Sequence, residues 1–154
     1  MGGARFPVRR SKRLPRILVI DAPYYAELAD ALLDGATTAL DEAGAEWERL
    51  SVPGVLEIPA ALEMAVESGR YDGYVTLGVV IRGETAHFDI VAFESARAIT
   101  DQTVRHRLAL GNGIQTTENE AQAWARARRG EKDKGGGAAR AALAMIEVRE
   151  RLRG

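Results

Sequence analysis

Short β-branched apolar runs alternate with stretches of helical periodicity along this chain. Ile17, Leu18, Val19 and Ile20 form the first run, a continuous apolar block that predicts a buried strand. After it, Tyr25, Leu28, Ala29, Leu32, Ala36, Leu40 and Ala43 fall on one helical stripe, and Gly44 supplies a stop. Trp47 to Val52 predicts a second strand, and Leu56 to Ser68 a short helix ended by Gly69. Tyr74 to Ile81 is almost wholly apolar, as a strand covered on both faces should be. Thr85 to about Arg105 predicts a helix, Leu108 to Gln115 a fourth strand, and Glu118 to Arg128 a further helix. In the final helix, Ala138 to Leu152, the stripe is Ala138, Ala141, Met145, Val148 and Leu152, and its alanines permit close helix approach. Arg128 to Gly137, dense in charge and glycine, predicts a loop between the last two helices.

This strand–helix order predicts an α/β fold: a three-layer α/β/α sandwich on a four-stranded parallel sheet, flavodoxin-like in arrangement. No internal repeat or linker interrupts it, so residues 16–154 read as a single domain. Residues 1–15 read as a flexible basic tail, because Arg5, Arg9, Arg10, Lys12 and Arg13 stand there without an acid. No apolar segment follows those cations, so they do not open a secretory signal, and no run reaches membrane-spanning length.

Charge and composition narrow the chemistry. The 21 basic and 22 acidic residues nearly cancel, which leaves no global footprint for nucleic acid. The absence of cysteine excludes disulfides, thiolate metal sites and cysteine nucleophiles, and it fits a reducing cytoplasm. Two histidines far apart do not make a transition-metal site. Neither a Walker loop nor the glycine fingerprint of dinucleotide binding occurs.

Open parallel sheets bind ligands beyond the carboxyl ends of their strands. Applied here, that rule selects the loops after each predicted strand. Tyr24 and Tyr25 follow the first; stacking on a flat ring and core packing are both open to them. Val52 to Pro59 opens a helix, with Glu57 at its mouth, either as a ligand contact or as an acid complementing the helix dipole. Gly83, Glu84 and Thr85 precede a helix start, where backbone amides suit an anion. His87 lies in that helix's first turn and can exchange protons near neutral pH, or simply cap the helix. His106 has no such setting and reads as a surface residue. Arg126, Arg128, Arg129, Lys132 and Lys134 form a basic cluster, read either as a solvated helix end or as a source of phosphate contacts.

The same segments carry a resemblance. The stretches VPGVLEIP from Val52, LGVVIRGETAHFDIVAFES from Leu77, GIQTTENEAQAWARA from Gly113 and DKGG from Asp133 are similar, in order and interval, to lumazine synthases. The similarity runs from about Arg16 to Leu152. It implies a transferase of riboflavin biosynthesis that condenses 5-amino-6-(D-ribitylamino)uracil with 3,4-dihydroxy-2-butanone 4-phosphate. It implies no metal and no organic cofactor. By residue, it implies that His87 shuttles protons and Arg126 pairs with the substrate phosphate. It places Gly83, Glu84 and Thr85 at the anion cradle, and Val55, Leu56 and Glu57 at the ribityl chain. Val79, Val80 and Ile81 fall at the pyrimidine edge, Tyr24 at the stacking position, and Lys134 near the ligand. The resemblance also implies a homopentamer with each site between adjacent subunits, where Arg126 and Lys134 serve a pocket completed by the neighbour's residues near Asn112. Some members stack pentamers into a shell.

Three positions depart from the family's usual pattern: Asn112 where many members have phenylalanine, Phe93 where asparagine is common, and Pro23 where arginine is frequent. They bear on affinity and efficiency rather than on fold. They also leave open a non-catalytic flavin-binding protein on the same scaffold. A plain shell subunit is disfavoured by the matching His87, Arg126 and Lys134. A flavodoxin-like electron carrier is disfavoured because no hydroxyl-rich phosphate loop follows Ile20.

Overall fold

The computed structural model describes residues 13–154, so residues 1–12 of the tail expected over 1–15 lie outside the described residues. The strands are β1 (Arg16–Asp21), β2 (Glu46–Ser51), β3 (Gly73–Ile81) and β4 (Leu110–Thr117). The helices are α1 (Ala26–Glu42), α2 (Ile58–Ser68), α3 (His87–His106), α4 (Glu120–Ala127) and α5 (Lys134–Arg153), with a 3₁₀ turn over Val55–Glu57. All strand pairs are parallel, in the order β2-β1-β3-β4. The expected α/β sandwich on a four-stranded parallel sheet is therefore what the chain forms.

Alternation along the strands sends two sets of side chains to opposite faces. Ile17, Val19, Val75, Leu77 and Val79 meet Leu28, Leu32, Ala36 and Leu40 of α1 and the alanines of α4 and α5. Leu18, Ile20 and Tyr74 meet Ile58 and Leu62 of α2 and Val91 and Ile99 of α3. The edge strand β2 is exposed along its length, which is why its pattern is faint in the sequence.

Three expectations shift. The fourth strand begins two residues later and runs to Thr117, because β3 continues to Ile81 and pairs with it there. Leu108 instead closes α3: its amide donates to the Thr103 carbonyl (3.0 Å) beyond Arg107, which takes a left-handed φ of 55°. The last helix begins at Lys134, inside the predicted loop. Asp133 caps it, accepting from the Gly136 amide (3.2 Å), and the glycines are a packing seam. A Cβ at Gly135 would collide with the Leu32 carbonyl, and one at Gly111 with the Ala138 carbonyl. Close backbone contact there outweighs glycine's low helix propensity.

The stripe expected on that helix is also displaced. Gly135, Ala138, Ala139 and Ala142 are buried, whereas Ala141, Met145, Val148 and Leu152 face outward. Glycine and alanine fill the seam where α5 lies on α1 and β4, Leu143 and Ile146 pack partly buried against the same core, and Met145, Val148 and Leu152 fall on the far side.

Candidate active site

Strands β1, β2 and β3 end at one rim of the sheet, and their loops enclose a cavity of about 490 Å³. Tyr24 and Tyr25 line it after β1, and Gly54, Val55, Leu56 and Glu57 after β2. Val79, Val80 and Ile81 at the end of β3 form another wall. Gly83 and Thr85 from the next loop, with His87, Phe88 and Val91 from α3, close the list of lining groups.

Local sequence explains the walls. Gly78 leaves space for a Val55 methyl against β3, where a Cβ would stand only 2.9 Å from it, so the 3₁₀ turn sits down on the sheet. Phe88 and Val91 are buried and anchor the first turns of α3 in the core. His87, exposed on that same turn, is thereby fixed at the cavity wall. Its backbone amide donates to the Thr85 hydroxyl (3.2 Å) just ahead of the helix. The rings of Tyr24 and Tyr25 meet edge to face at 5.0 Å. Tyr24 is 78% exposed and Tyr25 also lies outside the core, so neither plays the packing role that the sequence left open.

The cavity's charges are sparse. Its lining offers a carboxylate at Glu57, an imidazole at His87 and the hydroxyls of Tyr24, Tyr25 and Thr85, with no lysine or arginine among the described residues. The α3 N-terminus adds first-turn amides without intrahelical acceptors, a setting that favours an anion. Arg82 stands beside the cavity, but its guanidinium pairs with Glu118 (3.0 Å) and Asp89 (3.5 Å) and lies over the Phe88 ring at 4.3 Å. Among the described residues, no group of three or more histidines and acids gathers to hold a metal ion.

Of the residues singled out in the sequence, Tyr24, Val55, Leu56, Glu57, Val79, Val80, Ile81, Gly83, Thr85 and His87 share this cavity. Glu84, Asn112, Arg126 and Lys134 do not line it. Arg126 is on α4, after the edge strand β4, and its guanidinium donates to the Gln122 carbonyl (3.1 Å). Lys134 opens α5. The Asn112 side-chain oxygen accepts from Thr76 Oγ1 and from the Ile114 amide, both at 3.0 Å. In the same basic cluster, Arg128 pairs with Glu131 (3.2 Å) and Arg129 with Asp34 (3.4 Å). Gly54, Phe88 and Val91 were missed. Val91 stands one helical turn from His87, a spacing that would have revealed it. His106, expected at the surface, is half-buried with its Nε2 3.0 Å from the Glu63 carboxylate.

The chain is similar to known proteins over most of its length. A family model described as 6,7-dimethyl-8-ribityllumazine synthase matches residues 15–150. A protein of Rhizobium meliloti (strain 1021) named 6,7-dimethyl-8-ribityllumazine synthase 1 is 62% identical over 141 residues, covering 88% of this chain and 92% of the relative. One from Agrobacterium fabrum named 6,7-dimethyl-8-ribityllumazine synthase is 57% identical over 145 residues, covering 91% and 98%. One of that name from Sphingopyxis alaskensis is 54% identical over 139 residues, covering 90% and 98%.

Proposed function

The chain belongs to the 6,7-dimethyl-8-ribityllumazine synthase family, and from that premise we propose that its cavity joins 5-amino-6-(D-ribitylamino)uracil to 3,4-dihydroxy-2-butanone 4-phosphate. The products are 6,7-dimethyl-8-ribityllumazine, phosphate and water, in the penultimate step of riboflavin biosynthesis. The observation that carries this reading is one hollow holding His87 and a helix N-terminus on one wall and the Tyr24 ring on another. Tyr24 stacks on the pyrimidine. The main chain of Val79, Val80 and Ile81 meets its edge, and Val55, Leu56 and Glu57 receive the ribityl chain. Thr85 and the amides at the start of α3 face the phosphate.

The chemistry asks little of the protein beyond placement and a proton carrier. The amine adds to the ketone, and water leaves to give an imine. Phosphate then departs, and the second amine closes the ring with loss of another water. His87 takes the proton from the attacking nitrogen and returns one to the departing oxygen. Holding two substrates in register supplies up to roughly 7–11 kcal/mol of barrier reduction in the best cases, and a proton shuttle adds about 10²- to 10⁴-fold.

A phosphate dianion also needs a cation, and no lysine or arginine among the described residues lines the cavity. Arg126, on α4, and Lys134, at the start of α5, do not line it, so an adjacent copy brings them, together with the edge that carries Asn112. We read the working unit as a homopentamer with sites between neighbours. Exposed apolar groups on α2 and α3 support this: Met64, Ile90, Val104 and Phe93, the last 70% exposed. No helix among the described residues is long and apolar enough to cross a membrane. We place the enzyme in the cytoplasm, acting on small molecules with neither nucleic acid nor membrane as partner.

Mixing the two substrates with the purified chain should yield the product's fluorescence. Flavin binding without turnover would instead favour the binding-protein reading. Shared sites make a sharper demand. His87→Ala and Arg126→Ala variants, each impaired alone, should regain activity when co-expressed, because in a ring with head-to-tail contacts roughly a quarter of the interfaces pair two intact halves. No recovery in mixed assemblies would exclude a site divided between copies.

A further inference from the structure

Asp21, the last residue of β1, is a carboxylate that follows four apolar residues, Ile17 to Ile20. Its side chain is 2% exposed. One oxygen accepts from Arg49 Nη2 (2.7 Å) and Nε (3.1 Å), and the other accepts from Ser51 Oγ (2.6 Å). Its own carbonyl accepts from the Val52 amide (2.8 Å). Immediately after it, the Ala22 amide donates to the Leu77 carbonyl (3.1 Å), and the Tyr24 amide donates to the Ala22 carbonyl (2.9 Å). Asp21 therefore fastens the end of β1 to the end of β2. The two loops that leave those ends carry Tyr24 and Tyr25 on one side and Gly54 to Glu57 on the other.

Burying a carboxylate is costly, and a buried ion pair is often matched or bettered for stability by apolar side chains of similar volume. Ile17 and Val19, on the same face of the same strand, show the apolar alternative in place. Stability alone thus gives little reason for an acid at this point. Its position does: it lies beneath the junction of two loops that line one cavity, without lining the cavity itself.

We infer that Asp21, with Arg49 and Ser51, is a positioning device that sets the spacing between the Tyr24 loop and the Val55–Glu57 turn, and so tunes binding of the pyrimidine–ribityl substrate. The inference rests on the reading of those two loops as the contacts for that substrate. Arg49 is partly exposed and can turn to water when its partner is lost, so removing Asp21 strands no buried cation.

The test is Asp21→Val, which restores the apolar pattern of the strand. It should stay folded, with a melting temperature equal to or above that of the wild type. Its KM for ribitylaminouracil should rise roughly tenfold, short of the ~10²-fold that a 1 Å misplacement of reacting groups can cost. Its KM for the dihydroxybutanone phosphate and its kcat should stay within about twofold, a split that a general loss of structure does not produce. Ser51→Ala, which removes one hydrogen bond and leaves the ion pair, should move the same KM in the same direction by a smaller factor. If Asp21→Val fails to fold, Ser51→Ala decides alone. Folded variants with both KM values unchanged would overturn the inference. A wild type that does not turn the substrates over would instead refute the functional reading. In that event hydrogen exchange still tests the clamp: amides of residues 22–25 and 52–57 should exchange faster in both variants, and unchanged exchange there rejects it.

Discussion

The two rims of this sheet treat their polar groups in opposite ways. At the amino rim, the Asp72 carboxylate accepts from Arg13 through two bonds of 2.9 Å and from the Arg16 amide at 2.8 Å. The Asp72 carbonyl accepts from Arg149 (2.6 Å), so α5 is tied to the same point. Beside it, the Tyr71 hydroxyl donates to Glu48 (2.7 Å) and accepts from Arg70 (2.6 Å). At the carboxyl rim, the Tyr24 ring and the His87 imidazole line an open hollow that no lysine or arginine among the described residues joins. One rim satisfies its charges within the chain; at the other, Asp21 and Arg82 are paired in the same way, but the polar groups that line the hollow are left for something outside it. Stability and chemistry are thus divided between the ends of the same strands, and substitutions should separate them.

The largest effect should come from the open rim. His87→Ala should lower single-turnover kcat/KM by about 10²- to 10⁴-fold, the usual worth of a positioned proton carrier, without abolishing the reaction. The remaining rate belongs to positioning. Because His87 is exposed, the melting temperature should barely move, in line with roughly 0.5 kcal/mol or less for surface changes. An unaltered rate would remove His87 from the mechanism.

At the closed rim the readout reverses. Burial pushes the Asp72 carboxyl up, but the Arg13 hydrogen bonds, the Arg16 amide and the charges of Arg13 and Arg149 outweigh it and hold the group below its ordinary 3.8. A depressed carboxyl stabilises the fold fully above its unfolded value, and that contribution fades as pH falls through the lower, folded value. Asp72→Asn should cost about 1–2 kcal/mol at neutral pH with kcat unchanged. Its stability curve below about pH 4 should also be flatter than the wild type's. Parallel acid curves for the two proteins would show that Asp72 is not the titrating group.

The same division explains how much could be read from the sequence. The buried strands were legible because apolar runs such as Ile17 to Ile20 and Tyr74 to Ile81 leave little freedom of assignment. The cavity-lining loops were found because strand ends in a parallel sheet are where ligands go. The start of α5 was not legible, since Gly135 to Gly137 resemble a loop until α1 and β4 are known to press on that seam. The Asp21 clamp escaped for a related reason. Its partners Arg49 and Ser51 come from another strand, and spacing along one chain segment does not record a contact across the sheet. Nor does a single chain bring Arg126 and Lys134 to the cavity, although resemblance groups them with it.

Arg82 sharpens the comparison, with the smallest effect. It stands at the open rim, next to the start of α3, and is 41% exposed on its side chain. Position alone would make it the phosphate cation. Its bonding places it with the closed rim instead: Glu118 and Asp89 both engage it, and its guanidinium covers Phe88. An exposed pair of this kind is worth about 0.2–1 kcal/mol, so Arg82→Ala should cost that much stability and change KM for the phosphate substrate by less than about threefold. A tenfold or greater rise in that KM, with the other substrate's unmoved, would make Arg82 the anion's partner. The rule that groups satisfied within the chain stay out of the chemistry would then fail at this rim, and the need for a neighbour's arginine would weaken with it.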